Sequence, residues 1–251
     1  MTEKQRKGVV ITGAAQGLGR AIAARFAGDG YLTVGVDVSA DALEAAQGAL
    51  GGGHRSVIGD AGDPANMTRA CELAEEIGGG VHAVVLNAAI SIAGPSDSYA
   101  LDDWDKVMRV NMRGVFAGAQ AARPFLQPGT SIVMLSSIAA SHALPERAAY
   151  CASKAGVDGL LRALAIDWAP YGIRVNAVAP GTFRTEMLAK LVESGQADIS
   201  RYISRIPLGR AGEAEELANA AVFLASERAS FITGVVLPVD GGWAAAALSH
   251  A

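Results

Sequence analysis

Two cysteines in 251 residues, Cys71 and Cys151, lie far apart and form no CxxC pair. That argues against a disulfide framework and against a thiolate metal site. The four histidines, His54, His82, His142 and His250, show no ligand spacing, so no metal is expected. A formal net charge of −4 comes without any basic block or basic stripe interleaved with aromatics, so nucleic acid is not an expected partner. No apolar run approaches the roughly 20 residues that cross a bilayer. The opening MTEKQRKGVVITG has charges but no apolar stretch long enough for a secretory leader, and the chain reads as cytoplasmic with no membrane partner. No Pro/Ser-rich linker, composition break or internal repeat divides it, so residues 1–251 read as one domain.

What is present is alternation. Seven short apolar, β-branched runs occur at 9–12, 32–36, 56–59, 82–86, 131–135, 174–178 and 235–239. Amphipathic segments near 19–29, 41–50, 65–77, 102–126, 148–168 and 213–225 lie between them. Strands alternating with helices pair in parallel, because each parallel return needs a crossover. Continuous apolar strands need helices on both faces, so the pattern predicts an α/β, doubly wound, seven-stranded parallel sheet. One irregular region, 182–212, has a break at Gly195 and two short helical patterns. Ligands in such sheets sit beyond the carboxyl ends of the strands, which places this insertion as a lid.

The first strand runs into TGAAQGLG (12–19), and a helix follows. Glycines at 13, 17 and 19 permit a sharp turn and let a pyrophosphate reach amides at the positive end of that helix. The spacing is GxxxGxG rather than GxGxxG, but its place between strand and helix is the one a dinucleotide needs. Asp37 lies 18 positions after Gly19, at the end of the second strand. A carboxylate there can accept both ribose hydroxyl protons and would repel a 2′-phosphate, which favours NAD over NADP. The competing role for Asp37 is to help cap the helix that begins near Ser39. Asp60 closes the third strand and is suited to an adenine amino group, although Asp60 and Asp63 could equally be turn residues before Pro64.

The stretch AAYCASKAG (148–156) is built from small residues around one phenol and one ammonium. Positions i and i+4 share a helix face, so Tyr150 and Lys154 are side by side. A fixed cation favours the phenolate, which makes Tyr150 a candidate base near neutral pH. Taken alone, such a pair is usually a surface contact.

The combination is more specific. TGAAQGLG (12–19), LNAA (86–89), RVNMRGVF (109–116), VMLSSIAA (133–140), Tyr150-x-x-x-Lys154, NAVAPGTFRT (176–185) and ITGVVLPVDGG (232–242) occur in this order, with Tyr150 13 residues after Ser137. As a set, spanning essentially the whole chain, they resemble the short-chain dehydrogenases/reductases. The resemblance implies a Rossmann-type fold and the catalytic set Asn111, Ser137, Tyr150 and Lys154. Tyr150 would be the acid/base, and Lys154 would lower its pKa and hold the nicotinamide ribose. Ser137 would stabilise the substrate oxygen, and Asn111 would hold a relay water. It also implies a phosphate loop of Gly13, Gln16, Gly17, Leu18 and Gly19. Asp37 and Val38 would take the ribose, Asp60 and Ala61 the adenine, and Asn87, Ala88 and Ala89 the stretch beside the cofactor. Pro180, Gly181, Phe183 and Thr185 would flank the nicotinamide. Where the family has NNAG, this chain has Leu86-Asn87-Ala88-Ala89, and the added methyl at Ala89 narrows that wall.

The expected reaction is reversible hydride transfer between NAD and a secondary alcohol, a polyol or hydroxy acid among the candidates, in a homotetramer. Candidate substrate walls are 91–95, 141–144, Phe183, Met187, Leu188, Leu191 and Tyr202. His142 either bonds a substrate hydroxyl or is simply solvated. Arg201 and Arg205 read as a solvated or salt-bridged pair, with Glu213, Glu215 and Glu216 nearby. The alternatives are an NADPH-dependent carbonyl or 3-oxoacyl-thioester reductase and, from another class, a non-catalytic NAD-sensing interaction protein.

Overall fold

A computed structural model describes residues 7–185 and 199–246. Seven parallel strands form one sheet: β1 (Gly8–Thr12), β2 (Leu32–Asp37), β3 (His54–Ile58), β4 (Val81–Leu86), β5 (Leu126–Leu135), β6 (Arg174–Pro180) and, after two short strands, β9 (Val236–Val239). Their spatial order is β3-β2-β1-β4-β5-β6-β9. The chain therefore reverses its direction of winding between β1 and β4, and the carboxyl ends of those two strands open a crevice. The short strands β7 (Phe183–Arg184) and β8 (Gly212–Glu213) pair with each other.

The helices are α1 (Gly17–Gly28), α2 (Ala40–Leu50), α3 (Pro64–Gly78), α4 (Leu101–Met108), α5 (Gly114–Ala122), α6 (Ala148–Trp168), α7 (Ser200–Ile203) and α8 (Ala214–Ala225). Two apolar layers sandwich the sheet, as period-two side chains require. Val10, Val34, Val84, Ile132 and Val175 face Met67, Val115 and Leu161 of α3, α5 and α6. Val9, Ile11, Val85, Val133 and Val178 face Ile22 and Phe26 of α1 and Leu217 and Ala221 of α8. Local chemistry sets the helix ends. Asp63 accepts the Ala65 N–H at 2.9 Å ahead of Pro64, and left-handed Gly79 stops α3. A capping box of Glu213 and Glu216 starts α8.

The structure differs from the sequence expectation at 102–126. That segment is not one α-helix: a π-turn at Arg109–Arg113, with the Gly114 N–H bonded to the Arg109 carbonyl, separates α4 from α5. Leu126 already belongs to β5. The extra residue in the turn brings Asn111 into the interior, where it is fully buried. The Gly195 break falls outside the described residues. Among the described residues, no helix is long and apolar enough to cross a membrane.

Candidate active site

The loop after β1 sits at the reversal point. Gly13 and Gly17 have φ of 65° and 56°, the left-handed region that disfavours a side chain. A Cβ on Gly19 would lie 2.0 Å from the Gly13 carbonyl oxygen, so only glycine lets α1 start this close to β1. Asn87, at the end of β4, clamps the loop: its Nδ2 donates to the Thr12 and Gly13 carbonyls at 2.9 and 3.0 Å. The Thr12 hydroxyl accepts the N–H groups of Asn87 and Ala88 at 2.9 and 3.0 Å. Gln16 is the exposed N-cap of α1, and Leu18 packs against the apolar layer.

Asp37 at the end of β2 accepts the Ala15 N–H and the Ser39 N–H, both at 3.1 Å. The carboxylate thus ties the glycine loop to the turn before α2, with Ser39 itself as the N-cap. Val38 beside it is 72% exposed. A shallow cleft is lined by Thr12, Asp60, Ala61, Gly62, Leu86 and Ala88, among others. Asp60 accepts the Gly62 N–H at 2.8 Å, while Asp63 serves as the helix cap. Ala89 is exposed at the edge. A glycine cradle without room for a Cβ, the amino end of α1, and an acidic residue closing β2 together fit a dinucleotide.

The predicted chemical residues gather at the exit of β5. Ser137 caps a 3₁₀ turn, Ile138–Ala140, by accepting the Ala139 N–H at 3.1 Å, and its hydroxyl favours ionisation of the Tyr150 phenol. Lys154 is buried and donates to the Leu135 carbonyl at 2.6 Å, with Nζ 5.8 Å from the centre of the Tyr150 ring. Burial pulls the Lys154 pKa down to about 8, opposed by Asp158. It pushes the Tyr150 phenol above its ordinary value, an effect the Ser137 hydroxyl only partly offsets. This corrects the expectation of a phenol lowered by Lys154: the ammonium is committed to the Leu135 carbonyl, and desolvation dominates at the ring.

Asn111 uses its whole side chain. Oδ1 accepts the Ile90 N–H and Nδ2 donates to the Ile90 carbonyl, each at 2.8 Å, and Nδ2 also donates to Ser153 Oγ at 3.1 Å. Ser153 in turn donates to the Tyr150 carbonyl at 2.8 Å. The π-turn is thereby fastened both to the loop after β4 and to α6.

The remaining predicted residues divide. Thr185 crosses toward the glycine loop, its methyl 3.9 Å from where a Cβ of Gly17 would lie. Pro180 pairs with Val239 at the sheet end, and Gly181 packs against Asp240. The Phe183 ring packs in the apolar layer and against Gly212, and it lines a cavity with Thr182 and Leu208. His142 is half-buried, bonded to the Ser141 hydroxyl at 2.9 Å and edge-on to Trp243. The Arg205 guanidinium lies 4.6 Å from the Trp243 ring centre. Arg205 is exposed, in line with the solvated alternative, while Glu213 pairs with Arg184 and Glu216 with Arg210. The side chain of Arg201 and residues Met187, Leu188 and Leu191 lie outside the described residues. Tyr202, in α7, is half-buried, and the loop at 91–95 is joined to that of Glu146 by the Gly94 N–H to Glu146 carbonyl bond. Among the described residues no group of His, Cys, Asp or Glu is gathered for a metal.

The sequence reading missed Ser136 and Asp158. The Ser136 hydroxyl donates to Asp158. The signal was present, since Asp158 continues the four-residue spacing of Tyr150 and Lys154 in an otherwise small and apolar segment.

A family model described as enoyl-(acyl carrier protein) reductase matches residues 13–244. A short-chain type dehydrogenase/reductase of Sinorhizobium fredii is 40% identical over 94% of this chain, which spans 43% of that longer protein. D-threitol dehydrogenase of Mycolicibacterium smegmatis is 37% identical, covering 94% of this chain and 92% of its own. The crystal structure of 3-ketoacyl-(acyl-carrier-protein) reductase from Brucella melitensis, complexed with NADH, superposes with a TM-score of 0.86 at 33% identity over 95% of this chain and 98% of that one. With the doubly wound sheet, the glycine cradle and the Ser137–Tyr150–Lys154 group in place, these likenesses establish that the chain belongs to the short-chain dehydrogenase/reductase family.

Proposed function

We propose that the protein is an NAD-dependent oxidoreductase that interconverts a small secondary alcohol, a polyol or a hydroxy acid in particular, and its ketone. The observation that carries this reading is the gathering of Ser137, the Tyr150 phenol and buried Lys154 at the exit of β5, with Lys154 one helical turn from Tyr150. When bound in the cradle, a nicotinamide dinucleotide supplies the hydride acceptor or donor. Tyr150 exchanges the proton of the substrate oxygen, and Ser137 donates to that oxygen and steadies its developing charge. Lys154 keeps a positive charge beneath the site at neutral pH and holds the nicotinamide ribose. Asn111 fixes the Ile90 backbone and, through Ser153, the helix that carries Tyr150. Asp37 selects the adenosine ribose with free hydroxyls, supported by its place at the end of β2. The polyol preference draws support from the likeness to D-threitol dehydrogenase. Exposed Phe116 and Ile166 on α5 and α6, together with Phe231, support self-association, which we read as a homotetramer.

The second reading, a 3-oxoacyl-thioester or other carbonyl reductase, is favoured by one observation. The chain is similar over 95% of its length to a 3-ketoacyl-(acyl-carrier-protein) reductase. A panel of polyols, secondary alcohols and hydroxy acids with NAD and NADP, followed by absorbance of the reduced cofactor, separates the two. The Tyr150→Phe variant is expected to lose turnover at least about a thousandfold and to bind NAD as before. Full activity in that variant would remove Tyr150 from the mechanism, and no turnover of any alcohol or ketone would favour a binding protein.

A further inference from the structure

Three consecutive residues at the exit of β5 are stitched to three successive turns of α6. The Leu135 carbonyl accepts from Lys154 and the Ser136 hydroxyl donates to Asp158 at 2.5 Å, while the next residue, Ser137, acts on the Tyr150 phenol. Tyr150, Lys154 and Asp158 are spaced four apart and share one face of α6. Sequence position alone makes Asp158 an ordinary helix acid, with Arg162 four residues further on for a partner. The Ser136 bond is what sets it apart. Ser136 is 1% exposed, so its hydroxyl has no water to turn to, and Asp158 meets it from a half-buried position. A buried ammonium also needs a compensating charge, and Asp158 supplies the anionic field at Lys154.

We propose that Asp158 is a positioning residue: it locks the Ser136–Ser137 segment so that Ser137 meets Tyr150, and it keeps Lys154 charged under the site. This rests on the oxidoreductase reading above. Among the described residues, the charges acting on the pair come from α6 itself, Arg162 beside Asp158 and the two partners on each other. β5 contributes the uncharged Leu135 carbonyl and Ser136 hydroxyl, and from the π-turn neutral Asn111 reaches the neighbouring Ser153.

The test compares pH profiles of kcat and KM for the full-length wild type and for Asp158→Asn, Asp158→Ala, Ser136→Ala and Lys154→Met. Asp158→Asn keeps an oxygen for Ser136 but removes the charge. The lysine then loses its proton more readily, and the alkaline fall of kcat moves to lower pH by about one unit. Ser136→Ala is expected to lower kcat severalfold while leaving that fall near its wild-type pH, because the charge remains. Asp158→Ala combines both effects, with at least about a tenfold loss in kcat and KM for NAD nearly unchanged. Thermal unfolding of each variant identifies any that fail to fold, and the near-isosteric Asp158→Asn carries the decision if Asp158→Ala does. An inactive Lys154→Met beside an Asp158→Asn variant with wild-type rate and pH profile would overturn the positioning role alone. A Lys154→Met variant as active as wild type would instead overturn the catalytic reading.

Discussion

Mild acid should weaken this fold in a way that two buried imidazoles make calculable. His54 on β3 is fully buried, its Nδ1 paired with the Thr33 hydroxyl at 2.7 Å and its Nε2 without a partner. His82 on β4 is 5% exposed, stacked on Tyr31 at 4.9 Å, and its Nε2 also lacks a partner. Burial lowers both from 6.5 to about 4. Because the folded value lies below the unfolded one, the unfolded chain binds more protons between pH 6.5 and 4. The stabilisation is therefore complete above pH 6.5 and is lost as pH falls toward 4. Linkage gives a loss of about 2 kcal/mol per ring at pH 5, or about 4 kcal/mol for the two. Urea unfolding at pH 7.5, 6 and 5, with tryptophan fluorescence as the probe, measures it. The His82→Phe variant keeps a stacked ring and removes one proton site, so its loss should fall to about 2 kcal/mol. A wild-type stability that is flat from pH 7.5 to 5, or an unchanged slope in His82→Phe, would refute the assignment.

Three further outcomes follow from the site. Gly19→Ala drives a methyl into the Gly13 carbonyl and the Asn87 amide, and NAD affinity should fall at least about tenfold in a fluorescence titration, or 1.4 kcal/mol. Asn111→Leu strands the half-buried N–H and carbonyl of Ile90, and calorimetry should show a loss of about 2 kcal/mol. Asp37→Arg removes the carboxylate from the end of β2, and initial rates with NAD and NADP should shift toward NADP. A wild-type preference for NADP would defeat the ribose argument.

The fold was largely legible because parallel strands buried on both faces carry unbroken apolar runs, as VHAVVL (81–86) does, with all six residues buried. The glycine loop was legible because GxxxGxG between a strand and a helix has few other physical uses. The π-turn at Arg109–Arg113 was not legible, since α- and π-turns share the same amphipathic pattern and only the bonds of Asn111 to Ile90 favour the wider turn. The burial of the Phe183 ring and the stacking of Arg205 on Trp243 were equally hidden, because each partner lies in a different segment of the chain.

The sequence by itself determined that strands and helices alternate and pair in parallel, and where the nucleotide cradle lies, because periodicity and glycine sterics act over a few residues. Only the tertiary structure decided how the phenol titrates, that Lys154 is bound to the Leu135 carbonyl, and that Ser136 reaches Asp158. Those outcomes depend on desolvation and on contacts between β5 and α6, and neither quantity exists until the strand and the helix pack together.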